Sequence, residues 1–229
     1  MFGFKFHLVS PHYVPDSKKD FFNYIYKTWH ASFTEVVESA GGKLDPDDFF
    51  RCDHVGVITF QDKIVSLSTL TLFDIELQSS KDHHYFKALN ESTCQALVQK
   101  RIKRLLSIEY LNVLPEFRRH QVQSQGTIPW VEVMMGLNSK IMDQSDADII
   151  IGTPRIDLKV DVLCRNVGAE ILQDPITKMN YPCAVMIIPK NPERHFPNPV
   201  TEQYVTGLWK SMEVIGREAF APIITKKTA

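Results

Sequence analysis

The sequence lacks any apolar run approaching the roughly 18–20 residues that span a bilayer, and the opening Met1–Val9, broken by Lys5 and His7, is not expected to act as a signal peptide. Closely spaced cysteines are missing too. Cys52, Cys94, Cys164 and Cys183 are scattered, without the paired spacing of a zinc site or the density of a small disulfide scaffold, and a reducing cytoplasm is expected. The histidines form no ligand pattern: His83 and His84 are adjacent, no carboxylate follows at helical spacing, and no metal is expected. Neither sign of charge is in excess. Lys plus Arg number 26 against Asp plus Glu 27, a net charge of -1, which argues against a protein that coats nucleic acid non-specifically. No Ser/Gly-rich or strongly charged linker divides the 229 residues, so one domain over 1–229 is expected.

What is present is an alternation of strand and helix patterns. Phe2, Phe4, Phe6 and Leu8 alternate with Gly3, Lys5 and His7, the period of a half-buried strand. From Ser17 to Ala40 apolar residues recur at helical spacing until Gly41 and Gly42 stop the run. His54–Gln61 and Lys63–Phe73 read as a hairpin. A helical insertion follows at about 76–103, with Tyr85, Phe86, Leu89 and Leu97 on its apolar stripe, and then a strand from Leu105 to Leu114, ended by Pro115. Beyond a polar loop, Arg118–Gly126, Thr127 is expected to cap a helix with Pro129 in its first turn, running from Trp130 to Met142. Ala147–Gly152 reads as a buried strand, Ile156–Arg165 as a short helix, Gly168–Leu172 as a turn into a strand, and Pro182–Pro189 as a last strand. A C-terminal helix is expected at about 200–216. The packing this order implies is an α/β (α+β) fold, a mixed sheet with helices on both faces.

The chemistry concentrates between Leu105 and Trp130: a hydrophobic strand, an Arg/Gln-rich loop, a glycine, then a helix start. Free amides at a helix N-terminus, flanked by arginines, form an anion site suited to phosphate. A solvated loop is the plainer reading of Arg118 and Arg119.

Val113-Leu114-Pro115-Glu116-Phe117-Arg118-Arg119, followed by Gln123-Ser124-Gln125-Gly126-Thr127-Ile128, resembles the GNAT acyltransferase superfamily. In that family a strand ending Val-x-Pro-x-x-Arg leads into a Gln/Arg-x-x-Gly-x-Gly/Ala loop. A second block, Asp157–Ala169, resembles the family's Asn-x-x-Ala-x-x-Leu-Tyr-x-x-x-Gly-Phe, with Leu163 and Gly168 in register. The chain departs from the pattern at Ile128, where a small residue belongs. Asp157, Cys164 and Ala169 likewise stand for the family's asparagine, tyrosine and aromatic.

The resemblance implies a mostly antiparallel central sheet and an N-acyltransferase that moves an acyl group from acyl-coenzyme A, as co-substrate, to a small-molecule amine. It places the donor at Val113, Arg118, Arg119, Gln123, Ser124, Gln125, Gly126 and Thr127, with an oxyanion donor among the amides near Asn112 or Val113. It implies Glu109 as the base, with Cys164 or Tyr110 as the acid that protonates the leaving thiolate. Other readings stand beside these roles. Glu109 serves equally as a structural carboxylate paired with an arginine on a neighbouring strand, and Cys164 as a nucleophile or a small buried side chain. The N-acyl amino acid and acyl-homoserine-lactone synthase branches imply acyl carrier protein as an alternative donor, which the basic run Lys100, Arg101, Lys103 and Arg104 would suit, although such a run is ordinarily a solvated face. They also imply that Phe86, Leu89 and Leu97 of the insertion line an acyl tunnel. A non-catalytic acyl-coenzyme A binding module is the alternative from another class, and a homodimer is left open.

Overall fold

The computed structural model describes residues 3–118, 121–122 and 126–216. β1 (Phe4–Val9) leads into the long helix α1 (Lys19–Ser39), which buries Ile25, Trp29 and Val37 along one side. Gly41 ends it in the left-handed region, φ 75°, where its amide reaches the Glu38 carbonyl. A one-turn helix, α2 (Asp47–Phe50), comes next. β2 (His54–Phe60) and β3 (Lys63–Asp74) form the expected hairpin, its turn residues Gln61 and Asp62 both at positive φ, as a tight two-residue turn requires.

The insertion is less helical than its stripe suggests. It holds a single turn, α3 (Gln78–Lys81), and α4 (Glu91–Gln99), whose start is capped by the Asn90 side chain accepting the Thr93 amide at 2.8 Å. β4 (Arg104–Val113) then crosses the sheet. The polar loop after it contains a small ladder of β5 (Gln121–Val122) against β6 (Gly126–Thr127). Thr127 therefore does not cap the next helix: α5 (Trp130–Gln144) has Pro129 at the cap position and no side-chain cap. β7 (Ile149–Gly152), α6 (Val160–Asn166), β8 (Glu170–Lys178) and β9 (Tyr181–Pro189) follow. α7 (Pro199–Lys210) stops short of the expected end, and residues placed in that helix form instead β10 (Glu213–Ile215), parallel to β1.

Among the described residues the strands form an eight-stranded sheet in the order β10-β1-β2-β3-β4-β7-β9-β8, parallel only at β10–β1 and β4–β7. Because side chains alternate across a strand, each strand feeds both faces. Phe6, Leu8, Leu106 and Ile108 pack with α5 and α7, whose Trp130, Val133, Tyr204 and Val205 are buried there. On the opposite face Val55, Val57 and Leu67 pack under α1 and α2, and Leu105, Ile149 and Val185 pack under the insertion.

Candidate active site

The pairing of β4 decides where a ligand can enter. Against β3 its register runs from Asp74↔Arg104 to Thr69↔Glu109 and resumes at Leu67↔Asn112, so Tyr110 and Leu111 oppose Ser68 alone. This is a β-bulge, with Tyr110 at φ 52°. On its other side β4 pairs with β7 only as far as Ile108↔Gly152, and Pro154, just beyond β7, has no amide with which to extend that ladder. The two parallel neighbours part there. Between them lies a cavity of about 270 Å³, walled by Phe33 and Val36 of α1 on one face and by Met135 of α5 and Cys164 of α6 on the other, so it passes through the sheet.

Glu109 and Tyr110 both line this cavity at the bulge. The Glu109 side chain is 14% exposed and its Oε2 lies 3.4 Å from Nζ of Lys178, at the end of β8. The ion-pair reading of Glu109 is thus realised with a lysine from the far side of the cleft rather than with an arginine on an adjacent strand. Tyr110 donates its hydroxyl proton to Asp48 Oδ2 at 2.5 Å, and burial, reinforced by Asp48, pushes the phenol well above its usual range. The same hydrogen bond ties the bulge of β4 to α2. Cys164 does face the cavity, but burial pushes its thiol up to about 12, with Asp161 adding to the shift. A buried thiol so raised is a poor donor to a thiolate and a poor nucleophile.

Of the donor-site residues, Arg118 lines the cavity and its Nε donates to the Val113 carbonyl at 2.9 Å, folding the start of the loop back onto β4. Asn112 and Val113 lie on the stretch of β4 that has lost β7 as a neighbour. Gly126 and Thr127 sit in β6, ahead of α5. Arg119, Gln123, Ser124 and Gln125 lie outside the described residues. The basic run is partly spent on exposed ion pairs, Lys103 with Glu76 at 3.3 Å and Arg104 with Asp146 at 3.1 Å. Phe86, Leu89 and Leu97 are buried in the packed cluster under the insertion, and none lines the cavity.

The cavity also gathers residues that sequence patterning does not single out. Arg155 pairs with Asp157 through Nε at 3.0 Å and lies over the ring of Tyr181, 3.5 Å from its centroid. The turn between β8 and β9, Met179 and Asn180 at φ 50° and 59°, is tied to the end of α1 by Asn180 Nδ2 donating to the Ala40 carbonyl at 2.6 Å and by Tyr181 Oη and Ser39 Oγ at 2.9 Å. A Lys-Met-Asn-Tyr turn between two β-rich runs is the one local signal of this feature.

No protein-family model and no curated protein matches the sequence. Solved structures do match in shape. BjaI, a CoA-dependent acyl-homoserine lactone synthase solved with SAM and isopentyl-CoA, superposes with a TM-score of 0.57 at 12% identity, over 93% of this chain and 94% of its own. FeeM, an N-acyl amino acid synthase from uncultured soil microbes, gives 0.52 at 7% identity, over 81% and 90%. A putative arylalkylamine N-acetyltransferase from the yellow fever mosquito gives 0.52 at 13% identity, over 77% and 85%. The chain has the GNAT fold. The mixed, mostly antiparallel sheet with helices on both faces agrees with the order read from the sequence.

Proposed function

We propose that the protein is an acyltransferase that moves an acyl group from acyl-coenzyme A to the amine of a small molecule. The observation that carries this reading is the cavity between β4 and β7, lined from both faces of the sheet and with a carboxylate, Glu109, on its wall. A donor thioester approaching from the α5–α6 side and an amine from the α1 side would meet at the gap. An ammonium must lose a proton before it attacks, and Glu109, held inside the cleft, is the base that takes it. The free amine then adds to the thioester carbonyl, main-chain amides near Asn112 and Val113 stabilise the oxyanion, the C–S bond breaks with its electron pair leaving on sulfur, and the extra proton left on the nitrogen passes to that thiolate, giving the amide and the free thiol. A thiolate leaves readily, since a free thiol has a pKa of only about 8.5, and the reading needs neither Cys164 nor Tyr110 as a strong acid. Arg118 and the loop after it would hold the donor's phosphates, a task for which arginines and main-chain amides are suited.

Coenzyme A is the donor favoured here over acyl carrier protein, because the shape of the chain follows nine tenths of a synthase whose structure contains isopentyl-CoA and because Lys103 and Arg104 are already engaged with carboxylates. The test is release of free coenzyme A from acyl-coenzyme A in the presence of a panel of small amines. Glu109→Gln should lower kcat by about a hundredfold while leaving the Kd for the donor within about twofold. Donor binding without turnover of any thioester by the unaltered protein would make it a binding module instead.

A further inference from the structure

The segment between β3 and β4, residues 76–103, contributes no side chain to the cavity, so an acyl tunnel does not account for it. Its Tyr85 is 2% exposed, and the hydroxyl has no hydrogen-bond partner among the described residues. The polar end of the side chain therefore does not hold it in place. Its ring face makes the notable contact: Nζ of Lys178 lies over the ring, 5.1 Å from the centroid, within the range of cation–π attraction. That same Nζ is the partner of Glu109 at 3.4 Å.

Lys178 ends β8, the outermost strand on its side of the sheet. A lysine there has a long flexible stem and gains rotamer freedom and hydration by swinging outward. The insertion opposes that in two ways. Leu172 and Ile176 of β8 pack against its apolar cluster, and the Asn90 amide donates to Gln173 Oε1 at 3.2 Å. Tyr85 thus sits on a body docked to the strand that carries the lysine.

We infer that Tyr85 is a positioning residue for the base, its ring face keeping the Lys178 ammonium against the Glu109 carboxylate inside the cleft, and that the insertion serves to deliver this ring. The inference rests on Glu109 acting as the base. Glu109 is paired with Lys178 from β8 and shares the cavity wall with Tyr110, Arg118 and Arg155, while its charge reaches Tyr85 and Cys52. Burial keeps Cys52, Tyr85 and Tyr110 neutral, while Arg118 and Arg155 bond to the Val113 carbonyl and to Asp157. His83 and Cys183 face Lys178 in turn. Lys178 is therefore the cation paired with Glu109, its Nζ 3.4 Å from the carboxylate.

The experiment compares pH–rate profiles of acyl transfer, each variant first checked for its urea unfolding midpoint. Lys178→Met should move the acid limb upward by about half a pH unit or more, because a carboxylate without its cation holds a proton more tightly. Tyr85→Met should move the limb in the same direction and lower kcat at pH 7 by about fivefold with the donor KM unchanged. Tyr85→Phe, which keeps the ring face, should leave the limb in place. In the Lys178→Met background Tyr85→Met should add no further shift, since both act through one contact. Phe86→Leu, in the same insertion, should lower the unfolding midpoint without moving the limb. Tyr85→Leu replaces Tyr85→Met if the latter does not fold. An unmoved limb in the Tyr85 variant, or an equal movement in Phe86→Leu, would overturn the inference. Persistence of the acid limb in Glu109→Gln would instead sink the base assignment itself, so the two failures are told apart.

Discussion

The Tyr110 hydroxyl reaches Asp48 Oδ2 across 2.5 Å, tying the left-handed residue of the β4 bulge to the single turn of α2. That tether bears on the cavity, because the bulge is where β4 turns away from β7. The ring itself is held edge-on by Phe33 and Trp29, at centroid distances of 4.9 and 5.4 Å. Tyr110→Phe keeps the ring and loses the hydrogen bond, so stability should fall by about 1–2 kcal/mol in urea denaturation. Its kcat should stay within about threefold of the parent. A hundredfold fall in kcat would return Tyr110 to the role of acid.

Glu132, 4% exposed on α5, accepts hydrogen bonds from Asn166 Nδ2 at 2.8 Å, Thr201 Oγ1 at 2.9 Å and Asn198 Nδ2 at 3.4 Å, which joins α5 to α6 and to the start of α7. No ion pair is found for it among the described residues. Truncation would leave buried donors without an acceptor, and Glu132→Ala is expected to cost about 3 kcal/mol, measured by chemical denaturation. Glu132→Gln, which keeps the shape and one acceptor oxygen, should cost about half as much.

Leu97 is 1% exposed within the insertion's cluster. Leu97→Ala should lower stability by about 2–5 kcal/mol through the cavity it leaves. Because the residue does not line the cleft, relative kcat/KM across acyl-coenzyme A donors of about two to twelve carbons should keep the parent's ranking, since only a tunnel wall would add the roughly 0.8 kcal/mol per buried methylene. A change in chain-length preference would restore the tunnel.

Acid should weaken the fold before the carboxylates titrate. Burial lowers the His54 imidazole to about 4, with His12 adding to the effect, and burial likewise lowers His7. An unfolded imidazole takes a proton near pH 6.5. Stability is therefore complete above that pH and is lost as the pH falls toward about 4, at up to about 1.4 kcal/mol per unit for His54. Unfolding free energies at pH 7, 6 and 5 should show this slope, and His54→Gln should flatten it.

The sequence by itself determined the elements whose signal is local. Alternation drew β1, β-rich composition around a two-residue turn drew the β2–β3 hairpin, helical spacing drew α1, and Pro115 located the end of the central strand, because period and turn chemistry act over a few residues. The resemblance to the GNAT pattern grouped Glu109, Tyr110, Val113, Arg118 and Cys164, and these lie at the cleft or on the strand beside it. Tertiary structure decided the rest. Glu213–Ile215 became a strand because β1, some 200 residues earlier, offered a free edge, and three residues carry no period of their own. The stripe of Phe86, Leu89 and Leu97 became core because the sheet face beside it was uncovered, while Lys178 met Glu109 only through the fold of the β8–β9 hairpin. Such pairings depend on which distant surfaces are left to bury or to neutralise, and that information is held by the assembled chain rather than by any window of it.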